Sequence, residues 1–315
     1  MTNATIQPCT VCGVVINNRF LFEKNDGYSR IEHCKIYQCN SCNNIYLGQY
    51  SKTFDSELYS YYVKYSGKTK EQIYDPLTKK SYLQVLKLLA SYGGGKNILD
   101  VGCGNGSFVD AAMNEGYSIK GIELSQTAVD IAQGFGLPVR NLDFFSREIE
   151  QSSYDVLSMF EVIEHLPEPI QFLKRAEHVV KRGGLVYLTT PNFNSLDRKL
   201  IGKRWSVIGQ EHLTYFTPAS LIKAISTYTG LEVIHLETRN LSGELIAYFS
   251  NFVRHFLGSF RRSNSSEIIQ HSQVSDVRET IANSPWLSFL KRGSNFVLDA
   301  TGLGSTIVII LRKPL

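Results

Sequence analysis

From Asn97 onward, short apolar runs alternate with stretches that carry apolar residues every three or four positions. The runs NILDV, SIKGIEL, PVRN, YDVLSMF and LVYLTT have the length and composition of strands, whereas SFVDAAMNEG, SQTAVDIAQGF and PIQFLKRAEHVV have helical spacing. Strands that alternate with helices usually form a parallel sheet covered by helices on both faces. The pattern therefore predicts an α/β fold.

The same pattern extends to both sides of this region. An amphipathic helix is predicted over residues 77–92 and is broken by the glycines at 93–95. TPASLIKAISTYTG predicts another helix, with Thr217 as its cap, Pro218 at its first position and Gly230 at its end. LEVIHLETR and STIVIILRKP predict two closing strands. Between them, residues 241–303 form an insertion with long apolar stretches.

Composition narrows the class of protein but names no partner. The chain has 315 residues, of which 43% are hydrophobic, and 33 basic against 29 acidic residues give a net charge of +4. A dedicated nucleic-acid binder would be far more basic. The sequence has no apolar run long enough to span a bilayer, and its first residues lack the pattern of a signal peptide. We expect a cytoplasmic protein.

Four of the six cysteines form two CxxC pairs near the N-terminus. They are Cys9 with Cys12, and Cys39 with Cys42, separated by residues 13–38. Two such pairs have the spacing of a tetrahedral thiolate site that binds structural zinc. Cys34 is a candidate substitute ligand, and disulfides or unpaired thiols are the alternatives. We predict a zinc ribbon over residues 1–50, followed by a tyrosine-rich stretch at 54–66.

ILDVGCGNGSF places three glycines between a predicted strand and a predicted helix. Glycine there permits a tight turn and a close approach of backbone N–H groups to a ligand. Glu123 ends the next strand, where a carboxylate can bind the two hydroxyls of a ribose. Asp100 adds a second acid, which suits a cationic ligand better than a pyrophosphate.

With these motifs, the chain resembles the class I S-adenosylmethionine-dependent methyltransferases over roughly Asn97 to Arg239 and the last strand. DVGCGNG, GIELS, NLDFF, FEVIEHLPEP and KRGGLVYLTTPN carry the resemblance, in this order. It implies a Rossmann-like sheet of seven strands with the last one antiparallel. It also implies that S-adenosylmethionine contacts Asp100, Gly102, Cys103, Gly104, Gly106, Phe108, Glu123, Leu124, Ser125, Asp143, Phe144 and Phe160. Among these, Glu123 would bind the ribose, Leu124 would flank the adenine, and Asp143 with Phe144 would meet its amino edge.

The segment EVIEH follows the strand YDVLSMF and precedes two prolines. The prolines limit Glu161–His165 to about one helical turn. Glu161, Glu164 and His165 would then share one face. Such a group can bind a cation, position and deprotonate a substrate, or form a solvated turn.

EVIEHL also resembles two subsets of the family, the ubiquinone-biosynthesis O-methyltransferases and the small-RNA 3′-terminal 2′-O-methyltransferases. That resemblance implies a divalent ion, Mg²⁺ or Mn²⁺, held by Glu161, Glu164, His165 and a later histidine, here His212 of EHLTYFT. Two alternatives stay open: His165 acts as a general base without a metal, or the segment has a structural role.

The division predicted from these features has four parts: the ribbon at 1–50, a helical connector or lid at 51–95, the methyltransferase domain at 96–240 and 304–315, and a helical cover over the acceptor side at 241–303. A membrane-surface role is the alternative for the cover. The ribbon, the connector and the EHLTYFTPASL segment together resemble bacterial methyltransferases of surface-polysaccharide and secondary-metabolite biosynthesis.

We therefore expect methyl transfer to a hydroxyl, or alternatively a carbon, of a small-molecule acceptor such as a sugar or secondary metabolite. An RNA ribose 2′-O-methyltransferase is the second hypothesis, and a non-catalytic zinc-ribbon binding protein is the third. No DNA partner is expected, and the oligomeric state is left open.

Overall fold

The computed structural model describes residues 6–15, 18–24, 34–49, 61–74, 76–241, 245 and 296–315. Most of the 241–303 insertion lies outside the described residues, so its predicted role as a cover or membrane-binding segment stays a prediction. Residues 296–301 of it are helical. None of the helices in the described ranges is long and apolar enough to cross a membrane.

Seven strands form the main sheet of the described chain. In chain order they are β4 (Asn97–Val101), β5 (Ser118–Glu123), β6 (Val139–Asn141), β7 (Tyr154–Phe160), β8 (Val180–Pro191), β10 (Glu232–Arg239) and β11 (Thr306–Arg312). Their spatial order is β10-β11-β8-β7-β4-β5-β6. The pairs among β4 to β8 are parallel, whereas β11 is antiparallel to both of its neighbours. This confirms the predicted Rossmann-like sheet with its last strand antiparallel.

Helices cover both faces of this sheet, as the alternating pattern predicts. They span Pro76–Ser91, Ser107–Asn114, Gln126–Gly134, Pro169–Val179 and Pro218–Tyr228. The other helical elements of the described residues are the helices Leu196–Ile201 and Lys70–Ile73, residues 296–301, and 3-10 turns at Tyr61–Tyr65, Ile163–His165 and Gly202–Arg204. Two apolar clusters, one on each face, bury the sheet between these layers.

The end of the helix Pro218–Tyr228 differs from the prediction. Thr217 caps its start as expected, because its side chain accepts a hydrogen bond from the Ser220 amide. The helix ends at Tyr228 with Thr229 in an extended conformation, and Gly230 does not adopt a left-handed one. Thr229 instead donates its hydroxyl proton to the Ile225 carbonyl, which satisfies one group of the last turn.

A second, four-stranded sheet contains the ribbon. Its strands β1 (Arg19–Lys24), β2 (Cys34–Gln38) and β3 (Ile45–Leu47) form an antiparallel meander. The fourth strand, β9 (Thr214–Tyr215), comes from far along the chain and pairs with β3. The sequence did not predict this strand.

Candidate active site

The glycine loop joins β4 to the helix Ser107–Asn114 at the carboxyl edge of the main sheet. Gly106 precedes that helix with a left-handed φ of 82°, and a Cβ there would lie 2.7 Å from a Leu137 methyl. A side chain would therefore be strained by its backbone and by its neighbour. The amides of Gly102 and Cys103 both donate to the Ile122 carbonyl, which holds the loop against β5.

Asp100 is buried beneath this loop, with 1% of its surface exposed. Its carboxylate accepts a 2.7 Å hydrogen bond from the Ser158 hydroxyl of β7. Burial raises the pKa of Asp100 to about 7, the Ser158 bond opposes the rise, and the charge of Glu123 adds to it. Among the described residues no basic side chain affects this carboxylate, so, buried as it is, it is suited to a cationic ligand.

Glu123 lies at the end of β5, and its carboxylate faces the loop. It accepts hydrogen bonds from the backbone amides of Gly104 at 3.0 Å, Leu124 at 2.8 Å and Ser125 at 2.9 Å. A carboxylate offers about four lone-pair directions. The three amides hold it in place and leave little of its capacity for a ligand.

The predicted adenine contacts differ in exposure. Leu124 is 41% exposed, whereas Phe144 is 3% exposed and packs its ring into the core. Only the main chain of Phe144 can therefore meet a ligand. Asp143 accepts a bond from the Phe145 amide, and the Ser125 hydroxyl caps the following helix. The side chain of Phe145 is 48% exposed and offers an apolar surface beside these residues, which the sequence did not predict.

Phe108 and Phe160 form an aromatic floor instead of an exposed surface. Their ring centroids are 4.8 Å apart, and Tyr82 lies 5.3 Å from each. Tyr187 packs on Phe160 from β8. Phe108 is only 2% exposed, so it supports the glycine loop from below.

The connector covers the same loop from the other side. The Tyr74 hydroxyl donates to the Asn105 carbonyl at 2.7 Å, and Lys70 forms an ion pair with Asp110. A Cβ added at Gly104 would lie 2.7 Å from the Tyr62 hydroxyl. These tyrosines, like Phe145, were not predicted as site residues, although tyrosine enrichment marked the segment.

A second group, the Glu–His cluster, consists of Glu164, His165 and His212. One ligand atom from each lies within 4.8 Å of the others. Glu161 is not one of these three residues, although its carboxyl group contacts that of Glu164; its expected place on a helical face is wrong. Its φ of 53° is left-handed, so the 3-10 turn begins only at Ile163. Glu161 precedes the turn, exposed, with its amide bonded to Thr189.

Both imidazoles of the cluster are oriented by backbone carbonyls. His165 Nδ1 lies 2.7 Å from the Glu211 carbonyl, and His212 Nδ1 bonds the Val207 carbonyl. A carbonyl only accepts, so each Nδ1 carries the proton and each Nε2 keeps its lone pair. The two rings lie 4.6 Å apart between centroids.

Glu164 is the buried member of the cluster, at 1% exposure. Its Oε2 accepts from the Thr190 hydroxyl at 3.0 Å, whereas Oε1 is buried and finds no hydrogen-bond donor among the described residues. Burial, followed by the charge of Glu161, raises the pKa of Glu164 well above its usual value. Burial and then His212 lower the pKa of His165 to about 4.

The four cysteines of the ribbon converge as their spacing predicts. The Cys9 and Cys42 sulfurs lie 3.6 Å apart, and those of Cys12 and Cys39 lie 3.4 Å apart. Sulfurs around a tetrahedral zinc ion stand about 3.8 Å apart, because the Zn–S bond is about 2.3 Å long. Cys34 packs elsewhere, in the cluster around Trp205, so it is not a substitute ligand in this arrangement.

Comparisons with known proteins agree with this architecture. Residues 78–236 match a family model described as a methyltransferase domain. A ubiquinone biosynthesis O-methyltransferase of Escherichia coli O9:H4 (strain HS) is 27% identical over 187 residues, which cover 54% of this chain and 75% of that protein. Its counterpart in Vibrio parahaemolyticus serotype O3:K6 is 26% identical over 197 residues, 55% of this chain and 82% of the relative.

The fold is also found in a solved structure, that of a putative sarcosine dimethylglycine methyltransferase from Galdieria sulphuraria. The two align with a TM-score of 0.50 at 15% identity, over 82% of this chain and 99% of the other. The likeness concerns the fold. Together with the strand order and the glycine loop, the family match shows that this chain belongs to the methyltransferase domain family, as a class I S-adenosylmethionine-dependent enzyme.

Proposed function

We propose that this enzyme methylates a hydroxyl group of a small molecule, and that the Glu–His cluster holds a divalent cation to which that hydroxyl binds. One observation carries the proposal: one ligand atom from each of Glu164, His165 and His212 lies within 4.8 Å of the other two, and the Glu164 carboxylate among them is almost fully buried. Metal-binding histidines typically donate their other ring N–H to a carbonyl or carboxylate, as both do here.

The properties of His165 favour cation binding over general base catalysis. A general base works best when its pKa is close to the working pH. The pKa of His165, about 4, makes it a weak base near neutrality. The same low pKa keeps the imidazole unprotonated, which is the form that binds a metal ion.

The ligand atoms of the Glu–His cluster also indicate which metal ion it would bind. Mg²⁺ prefers six oxygen ligands, whereas imidazole nitrogens suit transition metals. Two nitrogens and one carboxylate therefore favour Mn²⁺ or a similar ion over Mg²⁺. A cation held there would supply Lewis-acid chemistry, lowering the pKa of an acceptor hydroxyl beside it. Glu161, exposed beside the cluster, is placed to add a further oxygen ligand or to contact the acceptor.

The residues of the main sheet would hold the methyl donor. S-adenosylmethionine supplies an electrophilic methyl group on a sulfonium, and its amino acid moiety carries an ammonium group. We propose that Asp100 and the glycine loop bind that moiety, that Glu123 positions the loop and the ribose, and that Leu124 and Phe145 flank the adenine. The connector tyrosines Tyr62 and Tyr74 would exclude water from above.

The acceptor is proposed to carry adjacent hydroxyls, as catechols and sugars do. The names of the O-methyltransferase relatives support a hydroxyl acceptor, and a single cation can bind two neighbouring oxygens. We further propose that Cys9, Cys12, Cys39 and Cys42 hold a structural zinc ion, since two matched turns bring their sulfurs together.

Turnover with and without a chelator tests the main proposal. A panel of catechols, nucleotide sugars and short RNAs with labelled cofactor first identifies an acceptor. EDTA should then abolish turnover and Mn²⁺ should restore it. His212→Ala should lower kcat at least about a hundredfold, whereas cofactor affinity should stay within about twofold, because these side chains contact the acceptor side.

The matched control is His178→Ala, which removes an exposed histidine from the helix Pro169–Val179. It should behave like the wild-type enzyme. Chelator-resistant turnover together with an active His212→Ala variant would refute the proposed cation site. Methylation of RNA in preference to every small molecule would overturn the acceptor class.

A further inference from the structure

The loop that brings His212 to the cluster, residues 205–215, is held mainly through contacts with the ribbon. We call it the histidine loop. It contributes His212 directly and fixes His165 through the Glu211 carbonyl. Two of the three cluster residues therefore depend on where this loop lies.

One residue of the loop, Leu213, links the ribbon to the cluster. The Leu213 amide donates to the Glu164 carbonyl at 2.8 Å, and the Leu213 carbonyl accepts from the Leu47 amide of β3 at 3.0 Å. The next residues form β9 and pair with β3, with Thr214 opposite Tyr46. Strand β3 is thus connected to Glu164 through the single residue Leu213, which follows His212 in the chain.

The Trp205 end of the histidine loop is held in place by contacts with β1, the first strand of the ribbon. Lys24 Nζ donates to the Ile208 carbonyl at 2.7 Å and to the Trp205 carbonyl at 3.4 Å. Trp205 and Ile208 are each 1% exposed and pack among Ile36 and Leu47 of the ribbon sheet. Apolar burial and a charged donor therefore hold the same stretch.

A third link joins the loop to a cysteine turn. The Thr214 hydroxyl donates to the Thr10 hydroxyl at 2.7 Å in a buried position. Thr10 lies between Cys9 and Cys12, within the turn that would bind zinc. A change in that turn is therefore transmitted directly to β9.

We propose that the cysteine ribbon is a positioning element of the active site, so that an intact, metal-loaded ribbon sets the cation affinity of the Glu–His cluster. Lys24, Thr10 and Leu47 are its positioning residues. This inference rests on the proposed cation site. The physical reason is that metal ligands must be held to within about 0.5 Å, and residues that orient them typically contribute 10- to 100-fold in affinity.

Lys24→Met tests the inference with the full-length protein. The methionine keeps much of the apolar chain length but cannot donate to the Trp205 and Ile208 carbonyls. Mn²⁺ affinity, measured by electron paramagnetic resonance, should fall by about tenfold or more, and kcat should fall with it. Cofactor affinity, measured by calorimetry, should stay within about twofold, because the glycine loop is not touched.

Two further variants separate positioning from general stability. Lys35→Met is the matched control, since Lys35 is a partly exposed lysine on β2 of the same sheet; it should bind Mn²⁺ like the wild type. Lys24→Arg keeps a donor and should recover part of the lost affinity. A Cys12→Ser variant that loses zinc should show the same pattern as Lys24→Met, with retained cofactor binding as the check on folding.

The outcomes distinguish this inference from the proposed function. If the wild-type enzyme binds no Mn²⁺ at the cluster, the proposed cation site fails. The positioning role is then decided by kcat alone, with Lys24→Met low and Lys35→Met normal as the supporting result. Equal Mn²⁺ affinity and equal kcat in Lys24→Met, Lys35→Met and the wild type would overturn the inference, as would a zinc-free Cys12→Ser protein with full activity.

Discussion

Acidification from about pH 7.5 to about pH 6 is expected to weaken binding of S-adenosylmethionine to this enzyme about eightfold, through one buried carboxyl group. Asp100 has a pKa of about 7 in the cofactor-free protein, because it is buried. We expect its ionised form to bind the cationic amino group of the cofactor. A protonated Asp100 offers that group no charge, so binding must release the proton.

The magnitude follows from the fraction of Asp100 that is ionised. With a pKa of about 7, about three quarters is ionised at pH 7.5 and about one eleventh at pH 6. If only the ionised form binds the cofactor, the affinity at pH 7.5 exceeds that at pH 6 by a factor of about eight, which corresponds to about 1.2 kcal/mol of binding free energy. An α-amino group with a pKa of about 7.7–8.0 is about two thirds cationic at pH 7.5 and almost fully cationic at pH 6, so its own titration offsets this change by only about 1.5-fold.

Calorimetric titration across this pH range, in buffers of different ionisation enthalpy, measures both the affinity and the proton released. Asp100→Asn should bind weakly with little pH dependence. Ser158→Ala removes the hydrogen bond that stabilises the ionised form, so the midpoint should move to higher pH. A wild-type affinity that is constant between about pH 6 and about pH 7.5 would refute the reasoning.

The same shift predicts the sign of the stability change without cofactor. Folding raises the pKa of Asp100 from its ordinary value of 3.8 to about 7, so the folded state binds more protons between about pH 4 and about pH 7. The contribution of Asp100 to the free energy of unfolding is therefore largest below this window and is lost as the pH rises through it. Asp100→Asn should flatten this dependence in thermal melts.

Three further predictions concern the cofactor loop and the ribbon. Glu123→Gln keeps one acceptor oxygen for three amides, so cofactor affinity should fall by about tenfold or more; an unchanged calorimetric Kd would contradict the assignment. Gly104→Ala should lower cofactor affinity, and adding Tyr62→Phe should recover part of the loss because the clashing hydroxyl is removed; if the double variant binds no better, the connector does not cover the loop. Elemental analysis should find about one zinc per chain and little in Cys39→Ser; full zinc in that variant would exclude the ribbon site.

Local sequence patterns predicted the main sheet well. Strands and helices of this domain differ in the period of their apolar residues, and that period depends on neighbours in the chain. β4, β7 and the cap at Thr217 lie where the pattern predicted them. The cysteine turns were equally predictable, because CxxC spacing encodes a local turn.

The features that the sequence did not predict depend on distant contacts. β9 is a strand of two residues, too short to show a period, and it exists because β3 pairs with it. Glu161 was predicted to continue a helical turn, but its amide bonds Thr189 on β8 and its φ is left-handed. Phe144 and Phe145 are adjacent aromatics, and only the packing of the core decides that the first is buried and the second exposed.

The shared sheet of the ribbon has a consequence for synthesis of the chain on the ribosome. The cysteine turns and β1 to β3 emerge first, but the strand that completes their sheet is β9, near the far end of the methyltransferase domain. Until then β3, whose residues Ile45–Leu47 are all buried in the finished protein, presents an unpaired apolar edge. Chaperones, or rapid translation of the rest of the chain, are therefore expected to protect the nascent ribbon. Chains truncated before Thr214 should aggregate through this edge.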